Sequence, residues 1–299
     1  LVAADASTIR FGVRASHQTG AAAADQILFG LCLPETDLML ATSLHSPLEG
    51  ERQMLFEHLD RLSARDLLLL DRGYPCRWLI GLLIHRQIPF CMRVDKQAGG
   101  FGSVQEFITS GLSEQIVTIE PPKDTDAQDY GCPSVAVQVR LIRHISSTGA
   151  VRVLMTSLLD QNEYPITVFG NLYHHRWRVE ETFKRLKHRL NLEHVTGLSQ
   201  LAVMQDVAAK VLCDNLKTLI ALEARHQHDL PDEQRINHAA ALSILKPLMP
   251  RLLSGLSVNS MISGALKMIA GRTYIHRKER SNPRRSRPKS HKFMSLKPC

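Results

Sequence analysis

The chain has 299 residues, 44% hydrophobic and 22% charged, with a formal net charge of +8. This is long enough for one large domain or two modest ones with a real core, and the balance is that of an ordinary globular protein rather than a disordered one. No run of about 18 apolar residues occurs and no secretory signal is evident at the start, so neither a membrane span nor export is indicated.

The chain begins at Leu1 and enters directly on the apolar run LVAADASTIRFG, which reads as a strand closed by a turn; an upstream portion, or an unusual start, is expected. QILFGLCLP and DLMLATSLH read as two further strands, and the turn Pro34-Glu35-Thr36 between them suggests antiparallel pairing. In EGERQMLFEHLDRLS the apolar positions Met54, Leu55, Leu59 and Leu62 follow a helical period. DLLLLDRG is a short continuous apolar run of the kind found in buried parallel strands. CRWLIGLLIHRQ reads as a second helix and IPFCMRVDK as a fifth strand. Three strands, a helix, a strand, a helix and a strand over residues 1–96 are the element order of a ribonuclease H-like α/β fold, a mixed sheet flanked by helices.

From residue 97 to 164 the texture changes. Gly99-Gly100-Phe101-Gly102 opens a looped stretch, and EQIVTIEPP, SVAVQVRLIRHI and AVRVLMTSLL are β-rich, which predicts an inserted β subdomain. Helix then dominates, with one helix through residue 191 and another over 198–226, so that 165–226 closes the first domain. Residues 227–271 form a helical C-terminal region broken by Pro247 and Pro250.

The basic charge is concentrated at the end. Residues 272–299 hold ten Lys and Arg against one Glu, a net of +9, which leaves the other 271 residues at −1. Pro and Ser between the charges, as in SNPRRSRPKSHKF, predict an extended or disordered tail. Nucleic-acid phosphate is its natural partner; a solubilising tail is the alternative. The six cysteines form no CxxC pair and no Cys/His cluster with zinc spacing, which suits a reduced, cytoplasmic protein. There is no HExxH, and the neighbours His174 and His175 face different ways on a helix, so a His-based metal site is not expected.

The stretch YHHRWRVEETFKRLK, residues 173–187, carries charges of both signs at helical offsets. Wound as one helix, Tyr173, Arg176, Glu180 and Lys187 fall within an arc of about 60°, beside an apolar stripe that contains Val179, Phe183 and Leu186. Taken alone, this is an amphipathic surface helix. Two aspartates elsewhere change its meaning. Asp5 lies inside the first strand and Asp71 ends the fourth; in a ribonuclease H-like sheet those strands are adjacent and parallel. With Glu180 they would make a carboxylate trio, which suits Mg²⁺ and the two-ion chemistry of phosphoryl transfer. Singly each has a plainer role: Asp71 as a turn former, Asp5 as a turn or surface residue, Glu180 as an exposed helix residue.

Tyr173, Arg176, Glu180 and Lys187 match the spacing Y-(2)-R-(3)-E-(6)-K, and the pattern resembles the signature of the bacterial insertion-sequence DDE transposases of the Tyr-Arg-Glu-Lys group. LLLLDRGY around Asp71 resembles the second acidic motif of that family, and DAST at Asp5 the first, with Ala6 where Gly is common. The resemblance covers roughly residues 1–200. It implies a ribonuclease H-like catalytic domain with a β insertion before the glutamate helix. It also implies a metal-dependent DNA transposase that cleaves at transposon ends and transfers strands to target DNA. Asp5, Asp71 and Glu180 are then the catalytic, metal-holding residues, with two Mg²⁺ ions and Mn²⁺ as a substitute. Arg176 and Lys187 would contact phosphates, Tyr173 a phosphate or a base, and Trp177 an unpaired base, unless Trp177 is a rim packing residue. Double-stranded DNA, both transposon ends and target, and a second copy of the chain in a synaptic homodimer are the expected partners, in the bacterial cytoplasm at the nucleoid and with no membrane. Family members commonly carry an N-terminal DNA-binding region that this chain does not display. The alternative is therefore a truncated, non-autonomous remnant that binds DNA without catalysis, and a ribonuclease H-like nuclease without strand transfer is a third reading.

Overall fold

The computed structural model describes residues 1–11, 20, 22–23, 25–94, 101–145, 149–197, 199–256 and 259–275. Three strands open the chain, β1 (Val2–Arg10), β2 (Asp25–Leu33) and β3 (Leu38–His45), followed by α1 (Glu51–Phe56), β4 (Leu68–Leu70), α2 (Arg77–His85) and β5 (Phe90–Val94). The two helices are shorter than or equal to the periodic runs that predict them. The first ends at Phe56 and gives way to a 3-10 turn at Leu59–Arg61. Gly99 and Gly100 of the expected loop lie outside the described residues; Gly102, the last of that run, instead opens α3 (Gly102–Ser110). Next come β6 (Glu114–Ile119), α4 (Asp124–Tyr130), β7 (Val137–Ile145) and β8 (Val151–Thr156).

All eight strands belong to one sheet, in the order β3-β2-β1-β4-β5-β8-β7-β6. β1, β4 and β5 run parallel, while β2 and β3 form the antiparallel arm predicted from their turn. This mixed sheet with flanking helices is the ribonuclease H-like arrangement. The β-rich stretch after residue 97 continues the sheet rather than forming a separate one. β8 pairs antiparallel with β5, and the Thr156 hydroxyl donates to the Phe90 carbonyl at 2.6 Å. The parallel strands are apolar because both faces are covered: Leu68, Leu70, Phe90 and Met92 join Leu79, Leu83, Met54 and Leu55 of the two helices in one buried cluster.

After β8 the chain runs through a 3-10 turn (Ile166–Val168) into α5 (Phe169–His174) and α6 (Trp177–Arg189). Arg140 on β7 anchors this passage. Fully buried, it pairs with Glu114 of β6, donates to the Tyr164 carbonyl at 2.7 Å and sits over the Phe169 ring. The beginning of α6 is held against the antiparallel arm: Arg178 grips Asp37 with two donors at 3.0 and 2.6 Å. The missing side chain of Gly30 also leaves room for Phe183, whose ring atoms lie 3.2 and 3.4 Å from where a Cβ would stand.

The chain divides into two compact units, residues 1–8 with 26–183, and residues 9–25 with 184–299. In the second unit a 28-residue helix, α7 (Gln200–Gln227), is followed by β9 (Gln234–Ile236), α8 (His238–Leu245), α9 (Met249–Leu253), α10 (Asn259–Ala270) and β10 (Thr273–Ile275). Ala224, Ile236, Leu245, Leu266 and Ile269 form its core. β10 pairs antiparallel with β9, so the first residues of the expected tail are in fact a strand; the basic remainder, 276–299, lies outside the described residues. Lys210 on α7 ties down the preceding loop by donating to the carbonyls of Asn191, Leu192 and His194. Asp214 is buried between Arg185 and Lys217 at 2.8 and 2.6 Å. Burial works against its charge, yet the two cations hold its carboxyl below the usual range. Among the described residues, no helix is long and apolar enough to cross a membrane.

Candidate active site

The parallel register sets two carboxylates level. Val2 pairs with Leu68 and Ala3 with Leu69; Asp5 and Asp71 each lie two residues beyond the second pair, on neighbouring strands. The Asp5 carboxylate accepts from its own neighbour, Ala6 N–H, at 2.9 Å. Burial pushes its carboxyl up from 3.8 to about 7; Arg176 and the Ala6 N–H counteract this, while Asp71 and Glu51 add to it. Asp71 fulfils the plain role as well, because its Oδ1 accepts from Gly73 N–H at 2.7 Å and closes the turn after β4.

Arg176 joins the strand residue to the helix residue. Its Nη2 donates to Glu180 Oε1 at 2.6 Å and its Nη1 lies 3.6 Å from Asp5 Oδ2. The residue is only 5% exposed, and its guanidinium also stacks 5.0 Å above the Trp177 ring. Burial opposes its charge, but Glu180, Tyr173 and Asp5 keep it firmly protonated. Its Nε–H is buried with no hydrogen-bond partner.

The single helix expected over residues 173–187 is two helices. At the joint the bonds tighten to i→i−3, from His175 to Leu172, Arg176 to Tyr173, Arg178 to His175 and Val179 to Arg176. The wheel drawn for one continuous helix therefore does not apply across this joint. Tyr173 is 4% exposed and belongs to the floor of the site, where burial pushes its hydroxyl up and Arg176 opposes the shift. A ring so buried cannot stack on a base here, in contrast to the expectation from sequence. Trp177, the first residue of α6, is 41% exposed and keeps one face open. Lys187 lies in the last turn of α6 and belongs to the second unit, whereas the other six predicted residues belong to the first.

Sequence reasoning missed Glu51, the first residue of α1. Burial and the charge of Asp71 both push its carboxyl up, and Tyr74 and Arg176 only partly offset them. The signal was present as an acidic residue opening a predicted helix, but that position is ordinary for Glu. It also missed a grouping of His45, Glu49 and Glu57, whose ligand atoms lie within 4.8 Å of one another. There the His45 ring bonds Glu49 at 2.8 Å and Ser43 at 2.6 Å, so His45 and Glu49 already partner each other.

Residues 1–216 match the family model described as the transposase DDE domain. The chain belongs to that family. A curated relative, the transposase InsG of insertion sequence element IS4 from Escherichia coli strain K12, is 23% identical over 188 residues, covering 60% of this chain and 40% of the relative. The chain thus spans about two fifths of that relative's length. A solved piggyBac transposase synaptic complex with hairpin DNA superposes with a TM-score of 0.49 and 8% identity, over 90% of this chain and 57% of that one.

DDE transposases use divalent metal ions, and the donor set of this transposase domain fits one. Its acidic side chains supply oxygen ligands only, as hard cations require. Burial leaves the Asp5 carboxyl raised to about 7 despite Arg176 and the Ala6 N–H, and the charges of Asp71 and Glu51 add to the rise. The Tyr74 hydroxyl, fully buried, approaches Glu51 without completing a well-formed hydrogen bond. Among the described residues, Asp5, Asp71 and Glu180 do not form a group whose ligand atoms all lie within 4.8 Å of one another.

Proposed function

We propose that this domain is the catalytic core of a transposase that cuts DNA at transposon ends and joins the cut strand to target DNA, using two Mg²⁺ ions or Mn²⁺ in their place. The observation that carries the reading is the clasp of Arg176 on Asp5 and Glu180, with Asp71 level with Asp5 on the next strand. Asp5, Asp71 and Glu180 would hold the ions. When bound, these supply activation of the attacking water or 3′-hydroxyl and charge stabilisation of the leaving oxygen. Arg176 positions both carboxylates and is proposed to contact a phosphate of the bound DNA. The open face of Trp177 can receive an unpaired base next to the cut. Tyr173 fixes the floor beneath Arg176, and Lys187 is a further phosphate contact. A homodimer bridging two transposon ends is the assembly we expect, with the basic residues after 276 adding phosphate contacts.

The test is a cleavage assay on DNA carrying the terminal repeats of the element. Glu180→Gln should abolish metal-dependent nicking while DNA binding is retained; full cleavage by this variant would overturn the assignment. A pre-cleaved end offered with a target plasmid should give joined product, which a simple nuclease would not. Binding without nicking by the unaltered chain under any divalent metal would point instead to a remnant.

A further inference from the structure

We infer that Glu51 is a fourth carboxylate of the metal centre, serving with Asp71 as a ligand for one divalent cation. The inference rests on the proposed reading of the site as a metal centre. It adds a ligand from α1, an element that contributes none of the acidic residues recognised in the sequence.

The argument begins at Gly73. A Cβ built there would stand 3.1 Å from Asp71 Oδ1 and 3.6 Å from Glu51 Oε2. Both oxygens therefore border the same small volume, which only glycine leaves open. This closeness is built in rather than incidental. Arg52, the next residue of α1, donates through Nε to the carbonyls of Gly73 at 3.0 Å and Tyr74 at 3.1 Å, and through Nη2 to that of Pro75 at 3.2 Å. The first turn of α1 is thereby stapled to the loop that carries Asp71, and Glu51 is held beside it.

Tyr74 supplies an independent sign. Its ring is fully buried in the core, and its hydroxyl is enclosed without a completed hydrogen bond. That hydroxyl feels Glu51, Asp5 and Asp71 together. A buried hydroxyl without a well-formed partner costs free energy, and here it lies against the Glu51 carboxylate. A cation drawing those oxygens together, with its coordinated water, gives the hydroxyl the partner it lacks. A Glu serving only as a favourable first-turn residue would face solvent; Glu51 instead turns its carboxylate toward Asp71 and Tyr74.

The experiment is a Mn²⁺ titration of the full chain, followed by the electron paramagnetic resonance signal of the free ion, for the unaltered protein, Asp71→Asn and Glu51→Gln. The expected result is a loss of about tenfold in affinity for Glu51→Gln, the size seen when a residue supporting a metal site is removed, with unchanged circular dichroism. Asp71→Asn should lose at least as much. Unaltered binding by Glu51→Gln alongside weakened binding by Asp71→Asn would overturn the role of Glu51 and leave the metal centre standing. Absence of Mn²⁺ binding by the unaltered chain, or equal binding by all three proteins, would overturn the metal centre itself and this inference with it. Should Glu51→Gln fail to fold, Glu51→Asp keeps the charge and withdraws the oxygens; an affinity equal to that of the unaltered chain would again overturn the proposal.

Discussion

Replacing Asp5 by Asn should stabilise the metal-free protein at alkaline pH, although Asp5 lies at the heart of the proposed centre. Burial raises the Asp5 carboxyl from 3.8 to about 7 in the folded chain. The sign follows directly. Below pH 3.8 the group is protonated in both states and imposes no penalty. Between 3.8 and about 7 the unfolded chain ionises while the folded one resists, so stability falls as pH rises through this window; above it the loss is constant. A shift of roughly three units at about 1.4 kcal/mol each sets a ceiling of about 4 kcal/mol. Relaxation and water entry reduce the effective cost of a buried charge, so a gain of about 2 kcal/mol at pH 8 is expected. Asparagine keeps the oxygen that accepts from Ala6 N–H, and Arg176 keeps Glu180.

The assay is urea unfolding in chelator at pH 5 and pH 8, repeated with excess Mg²⁺. The gain from Asp5→Asn should be larger at pH 8 than at pH 5. Mg²⁺ should then stabilise the unaltered chain more than the variant, because binding to the folded state alone adds stability by mass action. A variant that is less stable than the unaltered chain at pH 8 in chelator, or one whose gain is the same at both pH values, would refute the account of a strained acidic pocket.

Asp214→Ala should cost about 3–5 kcal/mol, because it strands the buried Lys217 and Arg185 without their counter-ion; thermal unfolding of the chain reads this. Burial, with Lys217 and Arg185 nearby, lowers His238 from 6.5 to about 4, so the folded state refuses a proton that the unfolded state takes. Stability should therefore be lost as pH falls from about 6.5 to 4, by at most about 3 kcal/mol, and His238→Gln should remove that part of the acid sensitivity in urea titrations across this range. Gly73→Ala must push the Asp71 carboxylate aside by a few tenths of an ångström; Mn²⁺ affinity should fall while the melting temperature changes little. Deleting residues 277–299, which spares the β10 pairing, should flatten the salt dependence of DNA binding; an unchanged slope in filter-binding assays would leave the tail a solubilising segment.

What could be read from the sequence follows from how far each signal reaches along the chain. The strand runs and the turn at Pro34 announce themselves locally, and the parallel neighbours β1 and β4 follow from the order of elements, so Asp5 and Asp71 could be brought together without coordinates. The sheet's far half was legible as strands but not as an extension of the same sheet. Alternation in VAVQVRLI says which faces are buried and nothing about which partner the edge finds, and the β5–β8 pairing is decided by contacts between distant segments. The helix over residues 173–187 failed differently. Periodicity is blind to a local tightening of four bonds at the joint between α5 and α6, and it does not reveal that Tyr173, near the end of α5, is buried. Glu51 was invisible for a third reason: a first-turn glutamate is ordinary, and only Arg52, clamping the carbonyls of residues 73–75, makes it a neighbour of Asp71. A charge pattern along one helix can thus locate a site, while the number of charges that converge there depends on loops whose sequences carry no period at all.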